Sequence, residues 1–127
     1  MNASELIEKA LKHVEQEEFA EAEEAFKRVI DIDPADANGW KWLGISLLNQ
    51  DRYGESEEAF RRAIYIEPQH TIAWRNLGRV LEDQEKYVES EEAYRSAIDI
   101  EPQYALAWNS LGVVLKDQDK YAEAEES

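Results

Sequence analysis

The chain has no cysteine. That removes disulfides, thiolate metal sites, cysteine nucleophiles and iron–sulfur ligation together. It is poor in positive charge: 14 Lys and Arg stand against 29 Asp and Glu, for a net charge of −15. Nucleic acid and anionic membranes are therefore not expected partners, because both need a basic surface. No apolar run approaches the roughly 20 residues that cross a bilayer. The start, Met1-Asn2-Ala3-Ser4-Glu5, lacks the basic and apolar stretches of a signal peptide. A cytoplasmic protein without membrane insertion is expected. Only three prolines and five glycines occur in 127 residues, and hydrophobic residues make up 43%. That composition suits one folded domain with a real core rather than a disordered chain.

What is present is periodic. Pro34, Pro68 and Pro102 are 34 residues apart, and so are Trp40, Trp74 and Trp108. Leu43, Leu77 and Leu111 keep the spacing, as do Gly44, Gly78 and Gly112. Gln16, Gln50, Gln84 and Gln118 extend it to four copies. Residues 37–70 and 71–104 match at 18 of 34 positions without a gap, and 105–127 match the start of 71–104 at 13 of 23. The single domain, 1–127, therefore divides into units 3–36, 37–70, 71–104 and a partial 105–127.

Each unit reads as two helices. Trp40, Leu43, Leu47 and Leu48 form an apolar stripe at helical spacing over 38–50. Tyr53, Ala59, Phe60, Ala63, Ile64 and Ile66 do the same over 53–66, and no segment alternates with a period of two. The prolines stop each second helix, and the short connections make neighbouring helices antiparallel. Gly44 permits close approach of its partner helix, opposite Ser56; Ser90 and Ala124 are the later counterparts. Phe60 and Tyr94 are large enough to bridge to the next unit. In the fourth unit a second-helix stub is expected from about Asp119 to Ser127, too short to cover Trp108, Leu111 and Leu115.

The pattern resembles the tetratricopeptide repeat (TPR), W-x2-L-G-x2-Y followed by A-x3-F, A and P within 34 residues. Trp40, Leu43, Gly44, Phe60, Ala63 and Pro68 match in one unit. Trp74, Leu77, Gly78, Tyr94, Ala97 and Pro102 match in the next. Leu47, Leu81 and Leu115 replace the tyrosine, and Ser56 replaces an alanine. The first unit has Leu6, Lys9 and Ala10 in place of Trp, Leu and Gly, so a modified N-terminal cap with looser packing is expected. The resemblance implies an all-α, right-handed α-solenoid of antiparallel helix pairs. It also implies that first helices line a concave groove and second helices the convex side. Second-helix segments 17–32, 51–66 and 85–100 carry −4, −1 and −3, whereas 37–50 and 71–84 carry +1 and 0. An acidic outer surface and a less acidic groove follow.

The function so implied is a non-catalytic protein-interaction scaffold that takes a peptide or partner helix in the groove. Candidate contacts are Lys41, Arg75 and Arg79 for carboxylates or carbonyls. Asn38, Asn76 and Asn109 would hold the ligand backbone, and Trp42, which lies outside the repeat pattern, would give apolar contact. Against the five-residue clamp with which some TPR domains hold acidic chaperone tails, Lys41 and Asn76 match, and Ile45, Leu106 and Ser110 do not. Chaperone-tail capture is thus not implied, while an extended peptide of some acidic character is. The alternative is a self-assembling structural module that associates through its open terminal repeats, with a homo-oligomer formed through the incomplete C-terminal one.

No catalytic set is expected. His13 and His70 sit at different offsets of different units and read as surface residues. Glycine-rich phosphate loops and metalloprotease motifs do not occur. Adjacent acids such as Glu57-Glu58 diverge on a helix and cannot flank one bond. No cofactor or metal is called for. Most charges read as i,i+4 pairs with Glu first: Glu23–Lys27, Glu24–Arg28, Glu57–Arg61, Glu58–Arg62 and Glu91–Arg95.

Overall fold

A computed structural model describes residues 2–126, with side chains as far as Lys120. The described chain is all-α: α1 (Ala3–Glu15), α2 (Phe19–Ile32), α3 (Ala37–Leu48), α4 (Tyr53–Ile66), α5 (Thr71–Asp83), α6 (Tyr87–Ile100) and α7 (Ala105–Glu126). No strand occurs among the described residues. None of their helices is long and apolar enough to cross a membrane. Contacts divide the chain into two compact units, Met1–Pro68 with α1–α4 and Gln69–Ser127 with α5–α7.

Local chemistry sets the helix limits. Asn2 and Asp36 start α1 and α3 by accepting hydrogen bonds from the Glu5 and Gly39 amides at 2.9 and 3.2 Å. At the other end, α2, α4 and α6 stop at Asp33, Glu67 and Glu101, whose φ/ψ of −138/89, −132/87 and −135/83° are extended. The following proline excludes the helical conformation there. The tight turns between paired helices put Glu17, Asp51 and Glu85 at φ of 59, 60 and 61°. Each is closed by a bond across five residues, such as Lys86 N to Leu81 O at 2.9 Å. This left-handed conformation favours glycine. Glu85→Gly is expected to stabilise the chain by about 0.5–1 kcal/mol, checked by urea unfolding; a loss of stability would show the turn to be unstrained.

In the first unit the core joins Leu6, Ala10, Ala22, Phe26, Val29, Leu43, Leu47 and Ala59. The first helix pair is less closely packed than the two that follow, as its departures from the repeat pattern predict. Ala10, standing where the later units have glycine, is wholly buried, and Phe26 is 1% exposed.

Two of the three repeat glycines, Gly44 and Gly78, do what their spacing suggests. Ser56 donates to the Gly44 carbonyl and Ser90 to the Gly78 carbonyl, both at 2.7 Å. A methyl on Gly44 would lie 2.6 Å from the Phe60 ring, and one on Gly78 would lie 2.6 Å from Tyr94. Tyr94 also reaches α7, packing with Ala107, Leu111 and Val114, as a bridging residue should.

Two expectations are corrected. The helix break before about Asp119 does not form: α7 runs without a turn through Gln118 and Asp119. In α1, α3 and α5 the equivalent turn is followed by a 14-residue helix that packs back. Here the positions equivalent to that turn stay within one continuous helix. The small residue expected at Ala124 lies outside the described side chains. Second, only some ion pairs form. Glu23–Lys27, Glu57–Arg61 and Glu91–Arg95 close at 2.7, 2.9 and 2.8 Å. Glu58–Arg62 does not, because the Arg62 guanidinium lies over the Trp40 ring, 5.6 Å from its centroid. Glu24 lies 4.0 Å from Lys27 rather than pairing with Arg28. Solvated i,i+4 pairs contribute only ~0.3 kcal/mol, so an aromatic face competes successfully.

Candidate functional site

In the first unit, α3 carries Asn38, Lys41 and Trp42. Asn38 is exposed. Trp42 is half-buried and stacks on Phe26 of α2, ring centroids 6.2 Å apart and planes 11° apart. The Lys41 ammonium lies 4.4 Å from the Trp42 ring centroid. Lys41 is only 8% exposed. Burial holds its pKa below the usual lysine range, and the Asp36 carboxylate opposes that only in part. The result is a poorly hydrated cation steadied by an indole face.

In the second unit, Arg75, Asn76 and Arg79 lie on α5 and Asn109 on α7. Arg75 and Arg79 are one turn apart on one face. The Arg75 guanidinium sits 6.0 Å from the centroid of the Tyr104 ring, and its Nε is buried without a hydrogen-bond partner. A buried donor left unpaired costs ~1–3 kcal/mol, so an acceptor delivered there is favoured. Arg79 and Asn109 are exposed. Asn76 differs from expectation in its surroundings. It is 3% exposed, and its Nδ2 donates to the Ile72 carbonyl at 3.0 Å. One of its two N–H donors is thereby committed to its own helix.

Sequence reasoning passed over two features. Tyr104 is no part of the repeat signature, and it is the platform for Arg75. Its position three residues before Ala107, at the mouth of α7, is the signal that could have found it. The other is an open cleft of about 660 Å³ in the first unit, whose floor includes Trp40, Leu43, Leu47 and Ala59. Arg62 and the exposed Tyr65 stand on its rim. An aromatic on an otherwise solvated second helix was the available cue. The histidines are structural in their described contacts. His70 caps α5 by accepting from the Ala73 amide at 3.4 Å, and His13 Nδ1 meets Glu18 at 3.0 Å.

The repeated glutamines also have a physical role. Gln50 Nε2 donates to Glu23 of α2 at 3.1 Å, and Gln118 Nε2 donates to Glu91 of α6 at 2.7 Å. Each ties a first helix to the second helix of the preceding repeat. Among the described residues no three His, Cys, Asp or Glu side chains gather as a metal site.

A tetratricopeptide-repeat family model matches residues 7–71, and a second model described as TPR repeat matches 78–119. The chain belongs to the tetratricopeptide-repeat family. No curated protein matches it in sequence at a significant level. Among solved structures it is similar to MamA, at 23% identity and TM-score 0.89, over 98% of this chain and 73% of that one. It is also similar to the first TPR of Spaghetti (RPAP3) bound to the HSP90 peptide SRMEEVD. There identity is 20% and TM-score 0.89, over 92% and 93% of the two chains. The second TPR domain of human RPAP3, in complex with the HSP70 peptide SGPTIEEVD, matches at 20% identity and TM-score 0.85, over 88% and 93%. At these identities the likeness establishes the fold alone.

Proposed function

We propose that the chain is a non-catalytic interaction scaffold whose first-helix faces bind an extended peptide or a partner helix. Lys41 and Trp42 with Asn38 form the recognising group of the first unit. Arg75 and Arg79 with Asn76 and Asn109 form that of the second. The observation that carries the reading is Arg75, a guanidinium held on Tyr104 with a buried, unpaired Nε. A ligand carbonyl or carboxylate satisfies that donor, and the planar fork favours a bidentate carboxylate. Two structural neighbours hold peptides whose printed sequences end in Glu-Glu-Val-Asp, which suits the cationic residues here. The residues of this chain match that recognition set at only two of five places, so the ligand is an acidic extended peptide of a different sequence.

The test separates charge from stability. Arg75→Glu with Arg79→Glu reverses two charges on partly or wholly exposed side chains, and Lys41→Met removes a buried cation without burying a new one. Binding to an array of extended acidic peptides is expected to weaken about tenfold or more, ~1.4 kcal/mol per decade, while thermal unfolding stays close to wild type. Unchanged binding removes these residues from the site.

A further inference from the structure

The proposed peptide contacts leave one feature of the first unit unused, the cleft of about 660 Å³ lined by α2, α3 and α4. Its floor of Leu43, Leu47 and Ala59 is apolar, and the space admits a large side chain with its neighbours. Trp40 is fixed there by Nε1 donating to the Pro34 carbonyl at 2.9 Å. On the rim α4 departs from its own repeat. Arg62 and Tyr65 stand where α2 has Arg28 and Asp31 and where α6 has Ser96 and Asp99. Packing does not call for the aromatic, since Tyr65 is 82% exposed. Trp, Tyr and Arg are the residue types that dominate binding at protein interfaces, and all three line this cleft.

Charge selects the partner. Lys27, Arg61 and Arg62 line the cleft, and so do Glu55 and Glu58. Lys27 is held by Glu23, Arg61 by Glu57 and Glu55 by Arg52. That leaves Arg62 and Glu58, one turn apart on α4. Arg62 lies over the Trp40 ring rather than against Glu58. A guanidinium on an indole face keeps N–H groups free to donate, and its planar fork suits a carboxylate. The net charge of −15 repels acids at long range. At physiological salt, however, exposed charges beyond about 8 Å are screened, so the rim governs. Along α4 Glu58 precedes Arg62 and Tyr65 follows it, which confines a ligand's acid to the Tyr65 side. We infer that this cleft docks a short protein segment in which a large apolar side chain stands next to a carboxylate. The apolar side chain rests on Leu43, Leu47 and Ala59 beside Trp40, and the carboxylate accepts from Arg62 with Tyr65 alongside.

The probe is an end-capped peptide with Leu-Phe-Glu between glycine–serine flanks, titrated into the isotope-labelled full chain and followed by NMR. The Trp40 indole resonance, assigned through Trp40→Phe, is expected to shift saturably. That of Trp42, which belongs to the peptide site of the proposed function, is expected to stay in place. Gln in place of the peptide's Glu is expected to weaken binding about tenfold, the worth of one charge-assisted hydrogen bond. Arg62→Ser with Tyr65→Asp is expected to weaken binding of the parent peptide about tenfold or more. This double variant keeps its fold, because α6 carries those residue types at the same offsets and both side chains are exposed; an unchanged melting temperature checks this. The comparison of the two peptides uses the wild-type chain and stands whatever the variant does. Absence of a saturable shift at Trp40 overturns the inference, and so does a shift at Trp42 alone. Equal binding of the Glu and Gln peptides overturns it, as does binding that the double variant does not weaken. Tighter binding of a Leu-Phe-Lys peptide also overturns it, since the acidic surface would then be the attraction.

Discussion

Gly78→Ala is expected to destabilise the chain by about 1–2 kcal/mol, and Gly112→Ala to stabilise it by up to about 1 kcal/mol. The two substitutions are chemically identical and occupy the same repeat offset. At Gly78 the added methyl would sit 2.6 Å from Tyr94 Cε1 and 2.7 Å from Cδ1. Tyr94 is 2% exposed, and its hydroxyl donates to Glu82 at 2.9 Å, so the ring has nowhere to move. Overpacking of this kind costs ~1–3 kcal/mol, partly offset by the ~1 kcal/mol helix preference of alanine over glycine. At Gly112 only the preference remains. Thermal unfolding of both variants checks this, with shifts of roughly 5 °C per kcal/mol. Shifts of the same sign would mean that α7 packs differently from the description above.

Glu23→Gln is expected to destabilise the first unit by about 2 kcal/mol at neutral pH. The carboxylate is 6% exposed and accepts from Lys27 Nζ at 2.7 Å, Arg52 Nη1 at 2.6 Å and Gln50 Nε2 at 3.1 Å. Lys27 and Arg52 are 48% and 37% exposed, so solvent recovers part of what they lose, which keeps the effect below that of a fully buried pair. Burial alone would raise the Glu23 pKa, but the hydrogen bonds from Lys27, Gln50 and Arg52 outweigh it and hold the value below 4.5. The folded state thus favours the ionised form. Its contribution is full above the unfolded pKa, near 4.5, and is lost as pH falls through the lower folded value. The stability gap between wild type and variant should therefore narrow as pH is lowered from about 7 to about 3. A gap independent of pH would show that packing, rather than charge, holds Glu23 in place.

These two cases show how far repetition in sequence carries. Gly44, Gly78 and Gly112 are equivalent in sequence, and close approach of a partner helix is a fair inference for all three. Whether a ring fills the space depends on a helix packing back, which occurs at α4 and α6 and not on α7. The departures around Ala10 were a sound guide, since the first helix pair is the least closely packed of the three. Among the candidate contacts, the placement of Lys41, Arg75 and Arg79 on first helices was legible from spacing. The burial of Lys41, the stacking of Trp42 on Phe26 and the support of Arg75 by Tyr104 were not. Each depends on residues distant in sequence or on a rotamer choice, which periodicity does not encode.

The amino-acid sequence by itself determined the all-α repeat, its 34-residue period, the helix stops at the prolines and the family. Those follow from local rules: side-chain spacing on a helix and the backbone limits of proline. Tertiary packing alone decided which glycine is filled, which glutamate is buried under two cations and which arginine leaves its carboxylate for an indole. Such outcomes are set by small differences between competing contacts, and only the assembled neighbourhood holds all the competitors at once.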